Sequence, residues 1–387
     1  MSPRSLLMIR LGVAVAVVLG ALGALPGASR ASAQAAPATA SAVQWSQTSL
    51  TEPIKRLYTP ASGAFFAQTA AGLARSDDGG TTWHTVSLPA APVDRPGAIV
   101  VDLTNHATIY LAAADGIYKT ADDARSWTLI APVDPKYPRF QALAVSPVDA
   151  NVLYTIATSQ SLQTISFKRS TDGGQTWDEP DDALNRNRGS ASLTCYWVVY
   201  LLQPHPVDPN GLYRAFSCET RGLQVTLRRS HDGGATWQAL LGPIGATPHW
   251  LVGGQHDAPD RLVMGANTST MTFGGYLLTR SDDDGATWKT IEEYKEGGQT
   301  NRGPNVFNGG LAMDPTRSDR LLLGLNASGR TGESAPPEPL RLSEDGGLTW
   351  TDVTPPDLPK ITDLKFGIDG RTMFAATESG LWRAAAP

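Results

Sequence analysis

Six segments of this chain align without a gap on one octapeptide, Ser/Thr-x-Asp-x-Gly-x-Thr/Ser-Trp. They occupy residues 76–83, 120–127, 170–177, 230–237, 281–288 and 343–350, with Ala124 standing for glycine in the second copy. The third position is Asp78, Asp122, Asp172, Asp232, Asp283 or Asp345, and the eighth is Trp83, Trp127, Trp177, Trp237, Trp288 or Trp350. Six of the ten tryptophans therefore close a copy, and the copies define an internal repeat. The pattern suits a hairpin turn. A short carboxylate can accept N–H groups of its own loop, and glycine at the fifth position permits positive φ where the chain reverses. The branched Thr suits the strand that begins there, and the Trp can bury a large surface between neighbouring repeats. The loops lack the spaced oxygen ligands of a calcium loop, so a folding role is expected and no metal or cofactor.

The octapeptide resembles the Asp-box, or BNR repeat, of β-propellers such as sialidases, sortilin-type receptor domains, xyloglucanase-type glycosidases and photosystem-assembly-factor-like proteins. The resemblance spans about residues 43–385. It implies a propeller in which each box joins the third and fourth strands of a blade. It does not imply one activity, because that superfamily holds enzymes and non-enzymes alike.

Successive box tryptophans are 44, 50, 60, 51 and 62 residues apart, enough for one four-stranded blade each with variable loops. In the second repeat the strand-like runs are 98–103, 108–113, 116–119 and 127–130. After the sixth box, runs at 361–366, 372–377 and 380–383 supply three strands without a box. Residues 43–47, carrying Trp45, read as a fourth strand with no blade of its own. Joined, the two termini make a seventh blade, and closure removes free sheet edges. The expected fold is all-β: one seven-bladed propeller of four-stranded antiparallel blades, its last blade shared by the N- and C-terminal strands. A six-bladed ring with a loose seventh segment is the alternative.

Residues 1–33 read as a signal peptide. Arg4 and Arg10 precede an apolar run over 11–25, followed by the small-x-small triplet Ala31-Ser32-Ala33. A retained anchor is the alternative, but the run is short for a membrane span. Residues 34–42 read as a flexible Ala/Ser/Thr/Pro spacer, and 43–387 as the propeller. The expected location is secreted or cell-envelope, not integral in the membrane once the leader is cleaved. Gly and Pro make up 66 of 387 residues, too many for a helical bundle, while 41% hydrophobic residues are too many for a disordered chain. Without the three leader arginines, 29 basic residues face 37 acidic ones, a net −8 that argues against nucleic acid as a partner. A monomer is expected. Cys195 and Cys218 fall on two apolar runs flanking a turn. Were the hairpin centred between Pro206 and Val207, they would lie opposite each other and could form a disulfide in an oxidising compartment. Two buried thiols are the alternative.

No complete catalytic set emerges. Sialidases would require an arginine triad, a Tyr–Glu nucleophile pair and an Asp acid/base. Their Arg-Ile-Pro signature is replaced here by Ile54-Lys-Arg-Leu-Tyr58. Xyloglucanase-type enzymes pair two propellers around a cleft, and their Thr-Asp-Val-Gly-Gly stretch is missing. His249 and His256 share one expected inner-strand region but lack a third metal ligand. The longest inserts, 178–192, 218–224, 266–275, 292–304 and 326–339, all fall on the face opposite the boxes. They bring Arg186, Arg188, Arg221, Arg302 and Arg330 together with Tyr294, Asn305, Asn301 and Glu293. Arginine forks suit carboxylates, phosphates and sulfated sugars. Alternatively these are solvated loop residues paired with acids such as Glu219 and Glu292. The sequence thus points to an exported, non-enzymatic binding module that takes a glycan or an envelope protein on its insert-bearing face. A glycoside hydrolase working through loop carboxylates and a scaffold for an envelope or membrane complex are the alternatives.

Overall fold

A computed structural model describes residues 43–60, 63–93, 97–162, 164–180, 197–218, 226–240, 247–267, 275–295, 304–327 and 339–387. Among them every regular element is a β-strand. Seven antiparallel sheets follow one another as the blades of a propeller. Blade 1 runs Ile54–Tyr58, Phe65–Thr69, Leu73–Ser76 and His84–Val86, each strand paired with the next. Blade 2 is Ile99–Val101, Ile109–Ala113, Gly116–Thr120 and Thr128–Pro132, and blade 3 is Arg139–Val145, Leu153–Thr158 and Ile165–Ser170. Blade 4 comprises Trp197–Pro204, Leu212–Cys218, Thr226–Ser230 and Gln238–Ala239, and blade 5 Thr247–Gln255, Ala258–Asn267, Gly275–Ser281 and Lys289–Lys295. Blade 6 is Pro304–Asp314, Arg317–Ala327, Leu340–Ser343 and Thr351–Asp352.

Blade 7 confirms the expected closure. Its strands Ile361–Phe366, Thr372–Thr377 and Gly380–Ala385 are completed on the outside by Trp45–Gln47, with Trp45 opposite Ala384. At the axis, Leu57 N–H of blade 1 donates to Asp363 Oδ2 of blade 7 at 2.9 Å, so the ring is sealed at both radii. The second strands Phe65–Thr69 and Ile109–Ala113 are buried along their whole length, because a neighbouring blade covers each face. One expectation needs correction: blade 3 has three strands, not four. Its fourth strand shrinks to a single bridge between Arg169 and Asp178. A continued register would set Pro180 opposite Phe167, and proline has no N–H to give to the ladder.

The octapeptides join third and fourth strands, and all six share one hydrogen-bond scheme. The first hydroxyl donates to the Asp Oδ1 at 2.7–2.9 Å. The seventh residue donates its N–H to Oδ1 at 2.8–2.9 Å. Its hydroxyl donates to Oδ2 at 2.6–2.7 Å. Both carboxylate oxygens are therefore consumed inside the loop, which favours the folding role over a cation site. The donors hold Asp122 and Asp172 down to about 2, the seventh-residue hydroxyl acting most, then its N–H, then the first hydroxyl. The fifth residue has positive φ in every copy, and so has the fourth, which is only Gly or Asp.

Each closing tryptophan packs on the blade before its own. Trp127 joins the cluster holding Leu73 and Val86 of blade 1, Trp237 that of Tyr154 and Phe167 of blade 3, and Trp350 that of Leu278 and Ile291 of blade 5. Trp45 does the same for the boxless blade: it packs on blade 6 and donates its indole N–H to Val353 O at 2.7 Å. These tryptophans are half-buried, so each contributes less than the about 3–5 kcal/mol of a fully buried Trp.

Candidate functional site

Antiparallel order sets the two faces of the ring. The octapeptides and the turns between first and second strands share one; the connections between second and third strands and between blades share the other. The octapeptide face is tied down by a chain of contacts the sequence reading missed. A cation precedes five of the six copies, namely Arg75, Lys119, Arg169, Arg229 and Arg280. Each reaches the fourth residue of the next loop around the ring. Where that residue is Asp the contact is an ion pair, Arg75 with Asp123 at 2.8 Å and Arg229 with Asp284. Where it is Gly the cation meets a carbonyl: Lys119 on Gly173 O at 3.5 Å, Arg169 on Gly233 O at 3.5 Å and Arg280 on Gly346 O at 3.4 Å. Arg383 of blade 7 continues the chain to Thr81 Oγ1 at 2.8 Å. This face spends its polar groups on holding blades together.

The opposite face is where the ligand candidates fall. Arg186, Arg188, Arg221, Arg302 and Arg330, like Asn301 and Glu219, lie outside the described residues. Tyr294 and Asn305 lie on described strands: Tyr294 pairs with Tyr276, and Asn305 with Asn326. Glu292, a candidate hydrolytic carboxylate, is committed to its neighbours. It accepts from Arg341 Nη1 at 3.0 and 3.2 Å and from the Tyr276 hydroxyl, and Arg341 also stacks 5.4 Å from the Trp350 ring centroid. Burial, followed by the adjacent Glu292 carboxylate, pushes the Tyr276 phenol far above its usual range. Through Arg341 of blade 6, which also donates to the Tyr276 hydroxyl at 3.3 Å, this Tyr–Glu pair of blade 5 is tied to the next blade.

Two further expectations change. His249 lies inside Thr247–Gln255, while His256 follows it in the turn at the other end. Seven residues of strand separate them by about 23 Å, so they cannot share a metal ion. Burial lowers His249 to about 4, keeping its ring neutral. Among the described residues no three His, Cys, Asp or Glu side chains gather to hold a metal. In blade 4 the register sets Trp197, not Cys195, opposite Cys218, because the turn is centred on Asp208 and the one-residue slip between Val199 and Leu201 makes up only part of that offset. Cys195 itself lies outside the described residues, as does any bridge it makes.

A family model described as the DUF6242 beta propeller domain matches residues 34–199. Among characterised proteins, a xyloglucanase of Paenibacillus sp. is 27% identical over 297 residues, covering 72% of this chain and 23% of that protein. The xyloglucanase Xgh74A of Acetivibrio thermocellus is 26% identical over 188 residues, 43% of this chain and 20% of that protein. The chain thus spans about a quarter or less of the relatives it matches. Among solved structures, the GH74 xyloglucanase of Xanthomonas campestris superimposes with a TM-score of 0.61 at 19% identity, over 88% of this chain and 53% of that one. YCF48 bound to D1 peptide gives a TM-score of 0.56 at 16% identity, over 89% of this chain and 97% of the other. These structural likenesses establish the propeller fold.

Proposed function

We propose that this chain is an extracytoplasmic glycan-recognising propeller that holds a β-glucan-type polysaccharide, xyloglucan first, on the face opposite its octapeptides. The observation that carries the reading is the division of labour between faces. One is consumed by interblade ties, and every long connection emerges on the other. The matched xyloglucanases supply the glycan class. On this reading the octapeptides are Asp-boxes, residues 1–33 are a cleaved leader and 34–42 a spacer. Binding then rests on Arg186, Arg188, Arg221, Arg302 and Arg330 with Tyr294 and Asn305, which supply N–H donors and a ring to a neutral sugar. Affinity electrophoresis in xyloglucan, mixed-linkage glucan and cellulose derivatives tests it. Retardation that is lost in a folded R186A/R188A/R302A variant supports the reading, whereas equal retardation of that variant rejects the face.

A second reading, hydrolysis of the same polymer, is favoured by the two xyloglucanase matches. Glu292 and Glu293, neighbours on the strand Lys289–Lys295, are its candidate carboxylates. Release of reducing ends from xyloglucan, abolished in E293Q with binding retained, would establish it; no release from any polymer would leave binding alone. The peptide-bound neighbour makes a protein ligand the third outcome: native envelope extracts would then yield a partner that polysaccharide does not displace.

A further inference from the structure

Blades 2 and 3 do not fill the space between them. Blade 2 presents Ala113, Gly116 and Ala131 beside Ile117 and Ile130, and blade 3 presents Thr155, Ala157 and Ser166. Thr155 pairs with Lys168, and Ala157 with Ser166, so these four stand on the one face of blade 3 that looks toward blade 2. Small side chains on both walls leave a cleft of about 320 Å³, where a close-packed seam leaves voids hardly larger than water. The volume is at the lower end of that found for small-molecule sites.

The lining defines the ligand. Trp177, Phe140 and Tyr137 supply aromatic surface, and most other lining atoms are aliphatic. The wall hydroxyls are already engaged: Thr155 donates to Ala142 O at 3.0 Å and Ser166 to Glu179 Oε1 at 3.3 Å. A pyranose would bring several hydroxyls into a space with few free partners, and each one left unpaired costs about 1–3 kcal/mol. Polar capacity is concentrated at the Lys168–Asp134 pair. There Nζ lies 2.9 Å from Oδ2, and the two side chains are 28% and 36% exposed. Asp134 belongs to the connection leaving blade 2 and Lys168 to blade 3, so the pair bridges the two walls. Tyr137 is 3% exposed, and its hydroxyl has no hydrogen-bond partner among the described residues. A ligand oxygen reaching it would supply one.

We propose that this cleft is a binding site for a small apolar ring compound with one hydroxyl, carbonyl or ring N–H group, the size of a phenol or an indole, whose polar group meets the Lys168–Asp134 pair. It opens beside the second-to-third-strand and interblade connections of blades 2 and 3, on the insert-bearing side, but it takes a different ligand class from the proposed glycan and does not depend on that reading. The test uses the full chain with p-cresol, toluene, indole and cellobiose as probes, followed by calorimetry and by the alanine methyl signals of Ala113, Ala131 and Ala157. Saturable p-cresol and indole binding that shifts those three methyls is expected. Ala157→Leu and Ala131→Leu fill the cleft from either wall and should weaken binding at least tenfold while leaving the thermal midpoint equal or higher. Lys168→Met should weaken p-cresol several-fold and toluene hardly at all. The proposal is overturned if no probe saturates the wild type, or if binding leaves the three methyls unmoved. Cellobiose displacing the ring compounds from the cleft would equally overturn the assigned ligand class.

Discussion

Gly234 offers a measurement of how tightly one blade is pressed on the next. It sits at the fifth position of the fourth octapeptide with φ +92, and a Cβ there would come within 2.7 Å of Phe167 Cζ and closer still to Cε1. The Phe167 ring has nowhere to go. It is fully buried, stacked on Tyr154 at 6.1 Å and 10°, and met edge-on by Trp237 at 5.8 Å and 79°. Gly234→Ala therefore adds two penalties. A left-handed backbone costs an L-residue about 1–2 kcal/mol, and overpacking a filled core costs about 1–3 kcal/mol. The lost unfolded-state freedom of glycine returns about 0.4–1 kcal/mol. The net expectation is about 2–4 kcal/mol. For a propeller of about 345 residues the unfolding entropy is about 0.7 kcal/mol per kelvin, so the midpoint should fall by about 3–6 °C.

Gly80 separates the two penalties. Its φ is +87, nearly the same, but its nearest neighbour, Phe374 Cε1, would lie at 3.3 Å. Gly80→Ala should cost about 1 kcal/mol, the backbone part alone. The cycle with Phe167→Leu isolates the clash: in that background Gly234→Ala should cost at least about 1 kcal/mol less than in the wild type. Guanidinium unfolding followed by tryptophan fluorescence and circular dichroism reads the wild type and all four variants. Equal costs for Gly80→Ala and Gly234→Ala, with no coupling to Phe167, would refute the claim that the fifth glycine makes room for the neighbouring blade.

Two further outcomes follow from the same loops. The Asp172 carboxyl is held near 2 in the folded chain against an ordinary 3.8, so its contribution is full above about pH 4 and vanishes as pH falls through about 2. Asp172→Asn should thus lower the midpoint at pH 6 and flatten its fall between pH 4 and 2, with the two proteins converging at the acid end of a calorimetric series. Arg229 is 6% exposed against Asp284, and Arg229→Met leaves that carboxylate between blades 4 and 5 with the Tyr213 hydroxyl at 2.7 Å but without its cation. A loss of about 3 kcal/mol is expected by chemical unfolding, whereas Arg317→Met, an exposed pair with Glu344, should change stability by less than about 1 kcal/mol.

What was legible in the sequence is what repeats. The octapeptide, the seven blades and the role of residues 43–47 could be read because each copy states the same local physics, and Trp45 repeats the wedge where no octapeptide precedes it. The interblade cations were equally present as Arg or Lys one residue before five copies, yet their meaning depends on a residue 48 to 66 positions away. The cleft between blades 2 and 3 was not legible, since it arises from small residues such as Ala131 and Ala157 that only the fold brings face to face. The one irregular copy shows how far such pairings go. Gly174, Gly285 and Gly347 would each drive a Cβ into the residue three past the preceding tryptophan, namely Ile130, Leu240 and Ile291. In the second copy the fifth residue is Ala124, and the residue three past Trp83 is the smaller Val86, buried in the same cluster. The missing glycine is thus matched by a missing methylene on the blade before it. Val86→Ile should then destabilise the wild type by about 1–3 kcal/mol and cost little in an Ala124→Gly background. If Val86→Ile is tolerated equally in both, the two positions are independent and the second octapeptide's alanine has some other cause.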